Sequence, residues 1–136
     1  MKIFIACSKY FYDRVNEIRE VLEAAGHEIT LPSCFDNPFE EEDVKRLSRK
    51  EHVVWKCNMM KRHEGNIVGQ DAVLVLNFEK NGISNYIGGA TFMEVVKAWE
   101  MDKRIFFYNP LPKCSFSDEL IGINPVVING NLEMVR

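Results

Sequence analysis

Apolar residues follow two rhythms along this chain: short unbroken runs alternate with stretches in which they recur every three or four positions. An unbroken run reads as a strand buried on both faces, and the wider spacing reads as a helix with one buried side. Residues 2–7 form the first run, with a turn behind them. Phe11, Val15, Ile18, Val21, Leu22 and Ala25 then keep helical spacing until Gly26 stops the helix. Residues 27–31 are a second strand, ended by Pro32. A loop covers residues 32–39, and Asn37-Pro38 before Glu40, Glu41, Glu42 and Asp43 predicts a helix start. Asparagine can cap, proline suits a first turn and acids offset the helix dipole. Helical character is expected to continue, with room for a break, to about Ile67, with Trp55, Met59 and Met60 as core or subunit interface. Residues 71–78 are the clearest strand. After a loop, Gly88 and Gly89 open a helix containing Phe92, Val95, Val96 and Trp99. Residues 104–108 make a fourth strand, residues 110–124 a loop with one helical turn near 117–121, and residues 125–128 a last short strand.

This order predicts a single α/β domain over residues 1–136. The expected architecture is doubly wound (flavodoxin-like or Rossmann-like), a parallel five-stranded sheet in the order 2-1-3-4-5 with helices on both faces. Ligands of such sheets bind beyond the carboxyl ends of the strands where the order reverses, here between the first and third. The site should therefore collect residues 7–12, residues 77–94 and the loop after Pro32.

Charge and cysteine usage narrow the picture. The net charge is −3 and there is no basic excess, so an extended nucleic acid is not the expected partner. No apolar run reaches the length of a membrane span, and the first residues lack a signal peptide's pattern. Cys7, Cys34, Cys57 and Cys114 are widely spaced and are expected to be reduced and mostly buried in a cytoplasmic protein. Neither they nor the three histidines show metal-ligand spacing, and no metal or other cofactor is expected.

Three common uses of the fold fail on the residues. Cys7-Ser8-Lys9-Tyr10 follows the first strand where a dinucleotide fold wants glycines. No phosphate-binding G-x-x-x-x-G-K-[ST] loop is present. Asn77 ends the third strand where a phosphoacceptor domain wants aspartate. What remains is residues 85–94, in which Gly88 and Gly89 leave backbone N–H groups open at a helix start. Glu94 lies one to two turns into that helix, and its side chain can lean back toward the crevice. A carboxylate there can attack an electrophilic carbon or move a proton; it can equally be an ordinary solvated helix glutamate. Ser8 either donates to a ligand or caps the first helix. Tyr10, Tyr12 and Tyr86 are candidate aromatic walls, Tyr86 foremost. Asn77 and Asn109 end strands and can orient a ligand or a loop, and Asp71 is expected to tie a turn.

Four segments carry a family resemblance: residues 2–8 (Lys-Ile-Phe-Ile-Ala-Cys-Ser), residues 25–29 (Ala-Gly-His-Glu-Ile), residues 71–77 (Asp-Ala-Val-Leu-Val-Leu-Asn) and residues 88–103. In these the chain resembles the nucleoside 2-deoxyribosyltransferase superfamily, which includes the 2′-deoxynucleoside 5′-phosphate N-hydrolases. The resemblance implies a nucleoside or nucleotide substrate, N-glycosidic bond hydrolysis or 2-deoxyribosyl transfer, and no cofactor. It implies that Glu94 is a nucleophile forming a glycosyl-enzyme intermediate at C1′. Two supporting positions depart from the family: Gly88 stands where it carries aspartate or serine, and His63, with Glu64 beside it, where it carries a catalytic aspartate. The expected catalytic set is thus Glu94, His63 and Glu64. The expected substrate contacts are Ser8, Tyr10, Asn77, Tyr86, Gly88 and Gly89. The departures leave open a catalytically inactive nucleotide-binding or sensing module, or an interaction protein with an inherited fold. The apolar stretch of residues 53–60 predicts a homodimer or higher homo-oligomer.

Overall fold

The computed structural model describes residues 1–136. Five strands, β1 (Lys2–Ala6), β2 (Glu28–Thr30), β3 (Ala72–Val75), β4 (Arg104–Phe107) and β5 (Val126–Val127), form one parallel sheet in the order β2-β1-β3-β4-β5. This is the doubly wound order expected. Ile3 of β1 sits opposite Ile29 of β2 on one side and Ala72 of β3 on the other. The carboxyl ends of β1 and β3 therefore lie side by side at the reversal point.

Alternation along the strands splits the core in two. Ile3, Ile5, Ala72 and Leu74 face α1 (Tyr12–Ala24), meeting Val15, Ile18 and Leu22. Phe4, Ala6, Val73 and Val75 face the other side. There they meet Ile67 of α3 (Arg49–Val68), Val95 and Ala98 of α4 (Gly89–Glu100), and Leu120 of α5 (Ser117–Ile123). On the α1 side the space beside that helix is filled by a C-terminal 3-10 turn, Leu132–Met134, with Val135 buried in the same cluster. The sequence pattern gave no sign of that turn.

Helix ends account for several differences from the expected boundaries. Gly26 takes φ +91° at the end of α1, with its N–H and that of His27 closing on the carbonyls of Glu23 and Leu22. That pair of bonds needs a left-handed residue, which glycine adopts without strain. Asn37 does not cap the next helix: α2 (Glu40–Leu47) begins after Phe39 with no side-chain cap, and Asn37 instead closes a turn through its carbonyl. The break in the long helical stretch falls at Ser48, whose hydroxyl accepts from the Glu51 N–H at 3.1 Å. Ser48 is thus the N-cap of α3. Residues 117–123 make two turns rather than one. Of the four free cysteines only Cys7 is buried; Cys34 and Cys57 are half-buried and Cys114 is exposed, against the expectation that most would be covered. No helix is long and apolar enough to cross a membrane.

Candidate active site

A cleft of about 270 Å³ opens where β1 and β3 end. That is close to the lower end of the size range for small-molecule sites. Cys7, Ser8 and Tyr12 line it from the first strand and turn, and Pro32 to Cys34 from the loop after β2. The start of α4 supplies Gly88 to Thr91 and Glu94. These are the segments the crevice rule predicts. A further wall comes from α3: Trp55, Lys56, Met59, Met60 and His63 all line the cleft. Trp55, Met59 and Met60, expected in the core or at a subunit interface, line this cleft and lie outside the sheet core.

Glu94 is the group the fold isolates most sharply. It is 8% exposed, lies on the cleft-facing side of α4, and has no hydrogen bond or ion pair within the protein. Burial alone raises its pKa to about 8, because the desolvated carboxylate is disfavoured. At neutral pH the resting side chain is mostly the neutral carboxyl. Thr91, one turn earlier, is also buried and lines the same space.

His63 is 7% exposed and its Nδ1 has no partner. Burial first, then the charges of Lys56 and Lys97, hold its pKa below the usual imidazole value. Its ring is therefore neutral and lines the cleft, with the unpartnered Nδ1 itself buried. Glu64, its neighbour and the other candidate for proton transfer, is exposed and does not line the cleft. Successive helix residues are turned by about 100°. At this turn of α3 His63 turns to the cleft and Glu64 to solvent.

Asn77, expected as a substrate contact, is fully buried and committed elsewhere. Its Nδ2 donates to the carbonyls of Asn109 at 3.1 Å and Pro110 at 2.9 Å. Its Oδ1 accepts from the Asn109 N–H at 2.8 Å, and Asn109 Nδ2 donates to the Asn77 carbonyl at 3.1 Å. It ties the ends of β3 and β4 together and leaves nothing for a ligand. Asp71 ties a turn as expected, accepting from the Lys2 N–H at 2.7 Å.

Ser8 lines the cleft and its hydroxyl makes no capping bond to the 3-10 turn it precedes, so it is free for a ligand. Tyr10 and Tyr86 stand at the mouth, Tyr10 58% exposed. A Cβ on Gly88 would come within 3.4 Å of the Tyr86 Oη, and Gly89 is open around its Cα. The two glycines thus leave the first N–H groups of α4 approachable beneath the Tyr86 ring. Cys7 is no rival nucleophile: burial, and next the charge of Glu94, push its thiol up, away from the thiolate.

The rim is charged. Lys9 pairs with Glu42, and Lys56 with Glu41 at 3.1 Å. Burial opposes ionisation of Glu41, but hydrogen bonds from His52 and Lys56 hold its pKa below the usual value. Lys80 was not singled out from the sequence. Its Nζ lies 4.0 Å from the Tyr10 ring centroid and 4.5 Å from that of Tyr86. No three His, Cys, Asp or Glu side chains converge as they would on a metal ion.

The comparisons with known proteins bear on the fold. No protein-family model matches the chain, and no curated protein sequence does. Among solved structures the chain is similar to a CMP N-glycosidase, BcmB, from Clostridium botulinum. The TM-score is 0.53 and the identity 14%, over 99% of this chain and 98% of that one. A likeness of that size along both whole chains defines the class as an α/β domain with the architecture of that glycosidase. At this identity it carries the fold alone.

Proposed function

We propose that this protein hydrolyses or transfers at the N-glycosidic bond of a nucleoside or nucleotide, with Glu94 as nucleophile. The observation that carries the reading is a buried carboxyl without a protein partner, facing a nucleotide-sized cleft at the reversal point of the sheet. The fold shared with a CMP N-glycosidase, and the family resemblance of residues 88–103, support the same chemistry.

The steps balance with water as the only co-reactant. A Glu94 carboxylate oxygen bonds to C1′ as the C1′–N bond breaks, and that electron pair leaves with the base. The base collects a proton from solvent by way of the His63 ring. Water then attacks C1′, the ester C–O bond breaks, its pair returns to the Glu94 carboxylate, and a proton is released. Two displacements at one carbon give net retention. Another sugar acceptor or base in place of water would make the same intermediate a transferase step. Ser8 and the N–H groups at Gly88 and Gly89 hold the sugar or its phosphate, and Tyr10 and Tyr86 flank the base.

Attack needs the ionised form of Glu94, so kcat/KM rises with pH up to about 8 in the free protein. The deciding experiment incubates the protein with nucleosides and their 5′-monophosphates and reads free base by chromatography. Glu94→Ala should lower release roughly a thousandfold or more. Release by that variant at the wild-type rate ends the nucleophile assignment. A second reading, a binding module without turnover, is favoured by the neutral resting state of Glu94 and by glycine at position 88; ligand-induced stabilisation with no free base would establish it.

We also propose a homo-oligomer built on α3, where Val53 and Val54 stay exposed beside the wall residue Trp55. Val54→Glu should shift the sedimentation coefficient to that of a monomer. A wild-type protein that sediments as a monomer at micromolar concentration removes this proposal.

A further inference from the structure

Lys80 projects from a hairpin whose geometry is tightly specified. Its N–H and carbonyl bond reciprocally with Ile83 at 3.0 and 2.9 Å. Asn81 and Gly82 between them both take positive φ, +49° and +81°. That is the two-residue turn that Asn-Gly favours. The Tyr86 N–H bonds the Phe78 carbonyl at 2.9 Å, so the stem that carries Lys80 also fixes the ring beside it.

The ammonium is the one cation of the cleft without a counter-ion. Lys9 and Lys56 are each neutralised by a glutamate of α2, while Lys80 has only two aromatic faces and a 3.5 Å contact to the Tyr86 Oη. That same phenol oxygen lies 3.4 Å from the Cβ position of Gly88, at the start of α4. One phenol thus separates an unpaired positive charge from a helix N-terminus that has no acidic residue in its first turn. Deeper in the cleft, Glu94 and His63 are both more than nine-tenths buried and each leaves a polar group unpartnered, which marks the cleft as built for a ligand. A cation over one exposed and one half-buried ring is modestly held, and a charge-assisted bond to a phosphate oxygen is stronger.

We infer that Lys80, bracketed by Tyr10 and Tyr86, grips a phosphate monoester on the substrate, and that it makes a nucleoside monophosphate preferred over the free nucleoside. This assignment rests on the nucleotide reading of the site given above. It adds a charged side chain on the β3–α4 hairpin beside position 88, where only backbone N–H groups are on offer.

The test measures binding by calorimetry in a Glu94→Gln background, so that no turnover intervenes. The ligands are the four ribonucleoside 5′-monophosphates, the matching nucleosides, ribose 5-phosphate and inorganic phosphate. Monophosphates are expected to bind about tenfold or more tighter than nucleosides. Lys80→Met should abolish that preference with nucleoside affinity unchanged, and Lys80→Arg should keep part of it. A preference that survives Lys80→Met, or equal binding of nucleosides and monophosphates in the parent, overturns the assignment. Lys80-dependent binding with no base release by the wild type keeps the assignment and removes the glycosidase reading. Lys80-dependent binding of ribose 5-phosphate or inorganic phosphate alone keeps the phosphate grip and removes the nucleoside. Binding of none of these ligands overturns both.

Discussion

The two helical walls of the cleft are held in opposite ways. The α4 wall is anchored on the sheet: Thr91, Glu94, Val95 and Ala98 are all buried, and Val95 and Ala98 belong to the core against β3 and β4. The α2 wall buries no residue and has no side-chain cap. It is held over the mouth by Glu41 on Lys56 and His52, and by Glu42 on Lys9. Packing against a sheet fixes a side chain to a fraction of an ångström, whereas partly exposed ion pairs are worth little and are screened by salt. Glu94 sits on the stiff wall and Glu41 on the light one, so substitutions should separate along that line.

The largest expected separation is in the pH dependence of stability. Burial raises the Glu94 pKa to about 8 from the 4.5 of a solvated glutamate, so the folded state holds its proton longer than the unfolded chain does. Its favourable contribution is complete below pH 4.5, declines as pH rises toward 8, and levels off above that. Glu94→Gln should therefore match the wild type near pH 4.5 and exceed it by a few kcal/mol at pH 8.5, read by urea midpoints at the two pH values. A constant difference across that range would show that Glu94 is not desolvated and would erase the contrast between the walls. Next in size, Val95→Ala on the stiff wall should cost about 2 kcal/mol by the same measurement. Its counterpart on the light wall, Glu41→Gln, should cost about 1 kcal/mol or less, and its effect should fade in high salt. A loss for Glu41→Gln as large as that for Val95→Ala would mean that α2 is as firmly built as α4.

Much of the stiff part was legible in the sequence. Unbroken apolar runs at residues 2–7 and 71–78 mark central strands, strand order follows from right-handed crossovers, and the crevice follows from strand order. The position of Glu94 inside the cleft came from the same logic. The α3 wall was harder because periodicity says which side of a helix is apolar, not what lies opposite. Trp55, Met59 and Met60 carry a buried-face spacing, and the space they face is the open cleft. His63 and Glu64 are adjacent in sequence, and only the packed helix decides which one turns inward. Asn77 sits where a ligand contact belongs, but its partners lie 32 and 33 residues away, beyond any local pattern. Lys80 had a usable signal: Asn81-Gly82 after a strand is a strong hairpin mark, and it places the flanking lysine beside the site.

The reciprocal amide clasp between Asn77 and Asn109 has one more consequence. Four hydrogen bonds fasten Asn77, beyond β3, to the Asn109-Pro110 segment beyond β4. The spacing of the β3 and β4 ends is thereby set when the chain folds. The carboxyl end of β3, one side of the reversal point, is therefore in place before anything enters the cleft.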